Sequence, residues 1–241
     1  MGENHENAFC FGVHHCETAR TLSGIDPVFL SYDKAAAELS SSPVVIARER
    51  RSHEDRKPMV NYLELPVGEK SPEVINAVIE IPAEGINKYE YDKTLHVFRL
   101  DRNLYSPVHY PGDYGFIPST LSEDGDPLDV LVLVDAPSFP GCVMQVRPIG
   151  LLEMLDQGVP DEKVLAVGKN NPRYADVWNY SEIYPHMLKE MTHFFAIYKD
   201  LEGKRVEVKG WHDAAYARTK VVEAVGRFKD NKVSSKVDGN R

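Results

Sequence analysis

The sequence predicts an α+β protein, built on a small closed antiparallel β-barrel with additional strands and two late α-helices. The first observation is a series of short alternating or continuously apolar segments after residue 60, separated by turns rich in Gly and Pro. The second is that apolar residues recur at helical spacing only after residue 180. Strands that come first and helices that come last are typical of the α+β class.

The individual elements follow from the local pattern. Ile75, Ala77 and Ile79 share one strand face with Glu80 on the other, whereas the run VLVLV before Asp135 is apolar throughout. Strands are expected at residues 74–81, 88–92, 95–100, 130–134, 143–154, 163–167 and 205–211. Apolar residues at three- and four-residue spacing predict helices over residues 181–199 and 213–230.

Residues 1–57 differ in composition from the rest of the chain. They are rich in small, polar and charged residues, and their longest apolar run, PVVIA, is too short to form a core. We therefore expect a largely disordered N-terminal extension with one short helix near residues 32–39, followed by a single folded domain at residues 58–241. Acidic residues are frequent in the extension and scarce in transit peptides, so a cytosolic tail is favoured and organelle targeting is the alternative.

The charge of the chain limits its partners. Its 241 residues carry a formal net charge of -9 at pH 7 and include three cysteines. An acidic protein lacks the broad positive surface that nucleic acid or an anionic membrane requires. The few cysteines, and the lack of any apolar stretch of signal-peptide or membrane-span length in the sequence, predict a reducing, cytoplasmic location.

The stretch SEDGDPLD places Asp124, Asp126 and Asp129 directly before an apolar strand. Two carboxylates roughly 5 Å apart repel by about 3 kcal/mol at an effective dielectric near 20, so the cluster requires water, protonation or a cation. Gly125 and Pro127 indicate a tight loop that presents these carboxylates together. A solvated acidic turn is the alternative, and an EF-hand is excluded because Leu128 and Asp135 stand where that loop needs a ligand and a bidentate Glu.

A second acidic loop, LDQGVPDEK, supplies Asp156, Asp161 and Glu162 between two predicted strands. A solvated turn is again the alternative. Oxygen ligands without a His or Cys partner suit magnesium or manganese, and two acidic loops at strand ends can converge on more than one such ion.

Groups that can hold an anion lie just upstream of the first acidic loop. The segments NKYEYDK and FRLDRN contain Lys88 and Arg102, and YSPVHYPGDYGFIP contains Tyr110 and Tyr114. Each is more often structural when taken alone, but a Lys, an Arg and hydroxyl donors near a carboxylate cluster suit a metal-neutralised phosphate. The sequence contains no GxxxxGK, GxGxxG or GxSxG motif, which leaves metal-assisted attack by water as the economical chemistry.

These motifs resemble a known family over residues 61–228. The segments DGDPLDVLV, YPGDYGFIP, VIEIP, KYEYDK and HFFAIYKDLEGKRVEVKGW are similar to those of soluble family I inorganic pyrophosphatases, in the bacterial and plant branch. The resemblance implies a five-stranded OB-like barrel with the site in its mouth. It also implies magnesium-dependent hydrolysis of inorganic pyrophosphate to two orthophosphates by in-line attack of a metal-activated water. Manganese is a possible substitute on ligand chemistry alone.

The resemblance also assigns roles to individual residues. Asp126 would accept a proton from the water or orient it, and Tyr110 would assist the leaving phosphate. The implied metal ligands are Asp124, Asp129, Asp156 and Asp161, with Glu80 and Glu90 acting through water. The implied phosphate-binding residues are Lys88, Arg102, Tyr114, Lys163, Tyr198 and Lys199. Gln157 departs from the family, because many bacterial relatives have an acid there, and this change should lower the negative charge beside a metal.

The expected partner is pyrophosphate, without nucleic acid or membrane, and the resemblance makes a homo-oligomer plausible. Two alternatives remain open on the residues alone. One is an OB-like module that binds a polyanion such as single-stranded nucleic acid, although the negative balance after residue 57 opposes it. The other is a metal-dependent phosphohydrolase that acts on nucleotides.

Overall fold

The structure is a computed structural model that describes residues 60–238, and the side chains up to residue 234. The predicted N-terminal extension and its short helix near residues 32–39 lie outside the described residues. The division of the chain at residue 57 therefore stays a prediction.

Nine strands and two α-helices form within residues 60–238. The strands are β1 (Ile75–Ile81), β2 (Asn87–Asp92), β3 (Val97–Asn103), β4 (Asp113–Phe116), β5 (Asp129–Leu133), β6 (Val143–Asp156), β7 (Val159–Pro160), β8 (Lys163–Gly168) and β9 (Val206–Asp213). The helices are α1 (Pro185–Ile197) and α2 (Ala214–Asp238). Neither helix of this range combines the length and the apolar character that crossing a membrane requires.

Five strands form a closed ring. The pairs β1–β4, β4–β5, β5–β8, β8–β6 and β6–β1 return to the starting strand, while β7 and β9 extend the sheet from β6, and β2 and β3 form a separate hairpin. The sheet is mixed rather than wholly antiparallel as expected, because β5 and β8 pair in parallel. A continuously apolar run such as VLVLV indicates a strand that is buried on both faces. It does not show whether the neighbouring strand runs parallel or antiparallel to it.

Most predicted elements are present with shifted ends, and β4 was missed. Pro111, Gly112 and Gly115 interrupt its pattern, yet Gly115 is what allows β4 to approach β1, since an added Cβ would lie 1.9 Å from the Val78 carbonyl oxygen. The first helix begins later than expected, at Pro185, because residues Tyr180–Glu182 form a separate 3-10 turn with its own capping box.

The ring strands are buried on both faces, which explains their continuous apolar character. On β5, Leu131 and Leu133 pack in one cluster with Phe194 and Phe195 of α1, while Val130 and Val132 pack in a second cluster. The second cluster includes the small residues Ala217, Val221 and Ala224 of α2. Both helices therefore cover the ring, and one end of β5 and β8 is left open for the acidic loops.

Candidate active site

The two acidic loops meet because β5 and β8 are parallel. Asp129 and Lys163, the first residues of these strands, are register partners. The SEDGDPLD segment enters β5 and the LDQGVPDEK segment enters β8, so both reach the sheet at the same edge. The predicted convergence of the loops is present, and the parallel pairing produces it.

A cavity of about 540 Å³ opens at this edge. It is lined by every site residue predicted from the sequence except Arg102: Glu80, Lys88, Glu90, Tyr110, Tyr114, Asp124, Asp126, Asp129, Asp156, Asp161, Lys163, Tyr198 and Lys199. Gln157 and Lys93 line it as well.

Lys163 is the centre of the acidic cluster. Its side chain is only 3% exposed, and its ammonium group donates to Asp129 Oδ2 and to Asp161 Oδ1, one carboxylate from each loop. Burial opposes the charge on Lys163, but these two carboxylates outweigh that effect and raise the pKa of Lys163 above its ordinary value. The hydroxyl of Tyr114 also donates to Asp129 Oδ2, at 2.6 Å. The lysine is therefore a permanent cation that joins the two loops.

One carboxylate oxygen of Asp156 is buried without a hydrogen-bond partner among the described residues. This atom is Oδ1, whereas Oδ2 accepts a hydrogen bond from Lys199 Nζ at 2.6 Å. Leaving a buried carboxylate oxygen unpaired is costly, because the atom has lost water and gained nothing in exchange. A cation or an ordered water at Asp156 would remove that cost.

The composition of the cavity fits magnesium. Seven carboxylates and four lysines line it, and the side chains that could coordinate a metal all do so through oxygen atoms. Desolvation raises the pKa of Asp124, and it raises the pKa of Glu80 to about 8 despite the 2.8 Å hydrogen bond from the Tyr91 backbone N–H. Within residues 60–238 no three His, Cys, Asp or Glu side chains stand in metal-binding arrangement, since lysine ammonium groups separate the carboxylates. The donor set therefore suits the ion, while the lysines occupy the space between the carboxylates.

Asp126 differs from the other aspartates in its environment. Its side chain is 67% exposed and forms an ion pair with Lys93 Nζ at 2.8 Å, and its backbone N–H donates to Asp124 Oδ1 at 3.0 Å. Gly125 between them has a φ of +91°, which only glycine adopts readily. The turn therefore presents both carboxylates to the cavity, and both residues are exposed. Sequence reasoning missed Lys93, because it follows the last alternating residue of β2 and no periodicity marks it.

The tyrosines form a buried wall beside the carboxylates. The ring centroid of Tyr110 lies 5.2 Å from that of Tyr114 and 4.8 Å from that of Phe194. Burial raises the pKa of Tyr110 and of Tyr114 well above the ordinary value and also raises that of Tyr198. These phenols are therefore neutral hydrogen-bond donors at any physiological pH.

The comparisons with known proteins decide the family. A sequence model described as inorganic pyrophosphatase matches residues 77–229. The chain belongs to family I of the inorganic pyrophosphatases. An inorganic pyrophosphatase from Nostoc sp. is 51% identical over 158 residues, covering 66% of this chain and 94% of its own. One from Synechocystis sp. is 52% identical over 156 residues, covering 65% and 92%.

Solved pyrophosphatase structures have the same fold. The crystal structure of inorganic pyrophosphatase from Thermus thermophilus superimposes with a TM-score of 0.69 at 46% identity, covering 70% of this chain and 99% of that one. The predicted membership of the family is confirmed, and these relatives lie in its bacterial branch.

One predicted pyrophosphatase residue, Arg102, does not line the cavity. Its Nε and Nη2 each donate to a carboxylate oxygen of Glu202 at 3.0 Å, and it is also paired with its neighbour Asp101. Glu202 is only 6% exposed, so the guanidinium is held in a fixed position beside the turn that follows Lys199. No local pattern in the sequence marks Glu202, which is 100 residues from its partner.

Gln157, where the sequence predicts a departure from the family pattern, lines the cavity next to Asp156. It adopts a φ of +51°, in the left-handed region, and its backbone N–H donates to the Arg205 carbonyl at 2.9 Å. The strained residue is therefore tied to the residue that precedes β9, and an uncharged amide lines the cavity here.

Proposed function

We propose that this chain hydrolyses inorganic pyrophosphate to two orthophosphates in the cavity at the shared edge of β5 and β8. The proposal rests on one observation above all, namely that two acidic loops and four lysines surround a single cavity at that edge. Carboxylates suit divalent cations, and lysines suit the phosphate oxygens that accompany them. The five-stranded ring would then be the OB-like barrel that the sequence motifs imply.

The metal ligands in this proposal are Asp124, Asp129, Asp156 and Asp161. The unpartnered Oδ1 of Asp156 supports the assignment, since that atom lacks a partner among the described residues. Magnesium, or manganese as its substitute, would neutralise phosphate charge there and lower the pKa of a water molecule. Glu80 and Glu90 line the same cavity and would act through water.

Asp126 is the group that we assign to the attacking water. It is exposed at the mouth of the cavity and forms an ion pair with a solvent-accessible lysine, Lys93. An exposed ion pair is weak and readily exchanged, so the carboxylate is free to accept a proton or to orient a water molecule.

The phosphate groups would be held by Lys88, Lys163, Lys199, Tyr114 and Tyr198, which line the cavity. Arg102 would join them by exchanging its partner Glu202 for a phosphate oxygen. Lys199 bridges to Asp156 at 2.6 Å and would turn from that carboxylate to a phosphate oxygen. Lys163 stabilises charge in place, because its position between two strands is fixed. Tyr110 would assist the leaving phosphate by donating a hydrogen bond, since burial raises its pKa and keeps the phenol neutral.

Release of orthophosphate is the direct test. The purified full chain should release phosphate from pyrophosphate when magnesium is present and should stop when a chelator removes it. Nucleoside triphosphates tried in parallel should be poor substrates, and an oligonucleotide should give no gel shift. If magnesium-loaded protein released no phosphate from pyrophosphate, this proposal would be wrong.

Assembly and location are the remaining parts of the proposal. We infer a homo-oligomer in the cytoplasm, in keeping with the family and with the acidic composition of the chain. Light scattering on chains with and without residues 1–57 would give the oligomeric state, and localisation of a tagged full chain would distinguish a cytosolic tail from an organelle-targeting segment.

A further inference from the structure

Helix α2 contacts both acidic loops, although none of its residues lines the cavity. The first contact is an ion pair in which Lys220 Nζ lies 2.8 Å from Glu162 Oε1. Both side chains are mostly buried, with 18% and 15% exposure, so the pair is better shielded from solvent than an ordinary surface pair. Glu162 lies between Asp161 and Lys163 in the chain, and the pair thus attaches the second acidic loop to the helix.

The second contact attaches the first acidic loop two turns further along. Arg227 Nε donates to the Leu121 carbonyl at 2.8 Å, and the Leu121 N–H donates to the Ala224 carbonyl at 2.9 Å. The next residue, Ser122, bonds through its backbone N–H to the Asp126 carbonyl at 2.7 Å. A displacement of Leu121 would therefore be passed directly to the turn that carries Asp124 and Asp126.

Both contacts come from one side of a continuous helix. Lys220, Ala224 and Arg227 have i, i+4 and i+7 spacing and share one helical face. The helix rises about 1.5 Å per residue, which places the two attachment points about 10 Å apart along its axis. Ala217, Val221 and Ala224 are fully buried against the ring, so the helix itself has a fixed position.

We propose that Lys220 and Arg227 are positioning residues that hold the two acidic loops at a fixed separation, and that they thereby set the affinity of the site for magnesium. This inference rests on the proposed function of the same site. Neither residue touches the cavity, and each acts through a loop whose aspartates are the assigned ligands. Polar groups that support ligand-bearing segments in this way commonly affect metal affinity strongly, because they fix the distance between the ligands.

The direction of the change in Mg²⁺ affinity distinguishes a positioning effect from an effect of charge. Replacing Lys220 or Arg227 with methionine removes a positive charge from the neighbourhood of the site, so long-range electrostatics alone would tighten the binding of a cation. Loss of positioning has the opposite effect and weakens it. The direction of the change therefore separates an electrostatic effect from a positioning effect, whatever its size.

The experiment measures Mg²⁺ binding to the full chain by calorimetry without substrate, together with the Mg²⁺ dependence of phosphate release. We expect K220M and R227M to weaken Mg²⁺ binding roughly three- to tenfold, with kcat at saturating Mg²⁺ within about twofold of the parent. K220R should restore binding, because it keeps the ion pair. E223Q is the matched control, since Glu223 is on the same helix, 3.9 Å from Lys220, and contacts neither loop.

Mg²⁺ binding by the two variants either supports or contradicts the positioning role. Unchanged or tighter Mg²⁺ binding in K220M and R227M would overturn the inference. If K220M failed to fold, R227M would test the other attachment independently, with the same expected sign. Failure of the parent chain to release phosphate would count against the proposed function, whereas an active parent whose variants bind Mg²⁺ normally would count against the positioning role alone.

Discussion

Asp129 and Lys163 face each other as the first residues of two parallel strands. Burial is the main cause of the raised pKa of Asp129, because it favours the neutral form of the carboxyl group. The ammonium group of Lys163 opposes this effect, since it stabilises the charged form. The same ammonium group reaches Asp161 in the second acidic loop. One lysine thus joins both loops by pairing with one oxygen of each carboxylate.

Replacement of Lys163 with methionine should destabilise the protein most strongly when magnesium is absent. Asp129 and Asp161 would then be close together without a compensating charge, and breaking a buried pair in this way costs about 3 kcal/mol. Urea unfolding with and without Mg²⁺ measures the effect, and added Mg²⁺ should recover part of the loss. A variant as stable as the parent in chelator would contradict this role of Lys163. Phosphate release should also fall, because a phosphate-binding cation is lost.

The Asp126→Asn substitution should reduce kcat by about 10²- to 10⁴-fold, since it removes the group assigned to the attacking water. Folding should be unaffected, because the Asp126 side chain is 67% exposed. Glu123→Gln in the same loop is the matched control, since Glu123 is exposed and lies outside the cavity lining. Circular dichroism and phosphate release check both variants. Equal activity of D126N and E123Q would exclude the assigned role.

Glu80 should make the stability of the metal-free protein depend on pH. Desolvation raises its pKa in the folded state from 4.5 to about 8. The folded state therefore binds the proton more tightly than the unfolded state, and this contribution is fully present below about pH 4.5 and is lost as pH rises through 8.

The measurement is urea unfolding of the parent and of E80Q in chelator between pH 5 and pH 8. The free energy of unfolding of the parent should fall relative to that of E80Q, with a slope of at most about 1.4 kcal/mol per pH unit. Parallel curves would show that the Glu80 carboxyl has an ordinary pKa.

Magnesium should stabilise the folded chain, and Asp156 should contribute to that effect. Selective binding to the folded state adds about 2.7 kcal/mol at a hundredfold excess over Kd. In D156N the carboxylate, whose Oδ1 lacks a partner among the described residues, is replaced by a neutral amide, so Mg²⁺ should raise Tm by less than in the parent. Thermal unfolding at several Mg²⁺ concentrations checks this, and identical Tm increments in both proteins would remove Asp156 from the ligand set.

The acidic site could be predicted from sequence because its chemistry is local. Gly125 and Pro127 indicate a tight loop without any knowledge of the fold, and carboxylates crowded into such a loop repel one another unless a cation joins them. The strands were also readable, since their apolar runs are bounded by turns. The position of β4 was not, because Gly115 reads as a strand breaker until the close approach to β1 is known.

The sequence by itself therefore determined the α+β class, the acidic loops, the family and 13 of the 23 residues that line the cavity. Tertiary structure decided the parallel register that places Asp129 beside Lys163 and the ion pair between Arg102 and Glu202. It also decided that both acidic loops contact α2. The reason is physical: turn chemistry and periodicity act over a few neighbouring residues. Ion pairs between residues 34 or 100 positions apart depend on strand direction and packing, which no local pattern encodes.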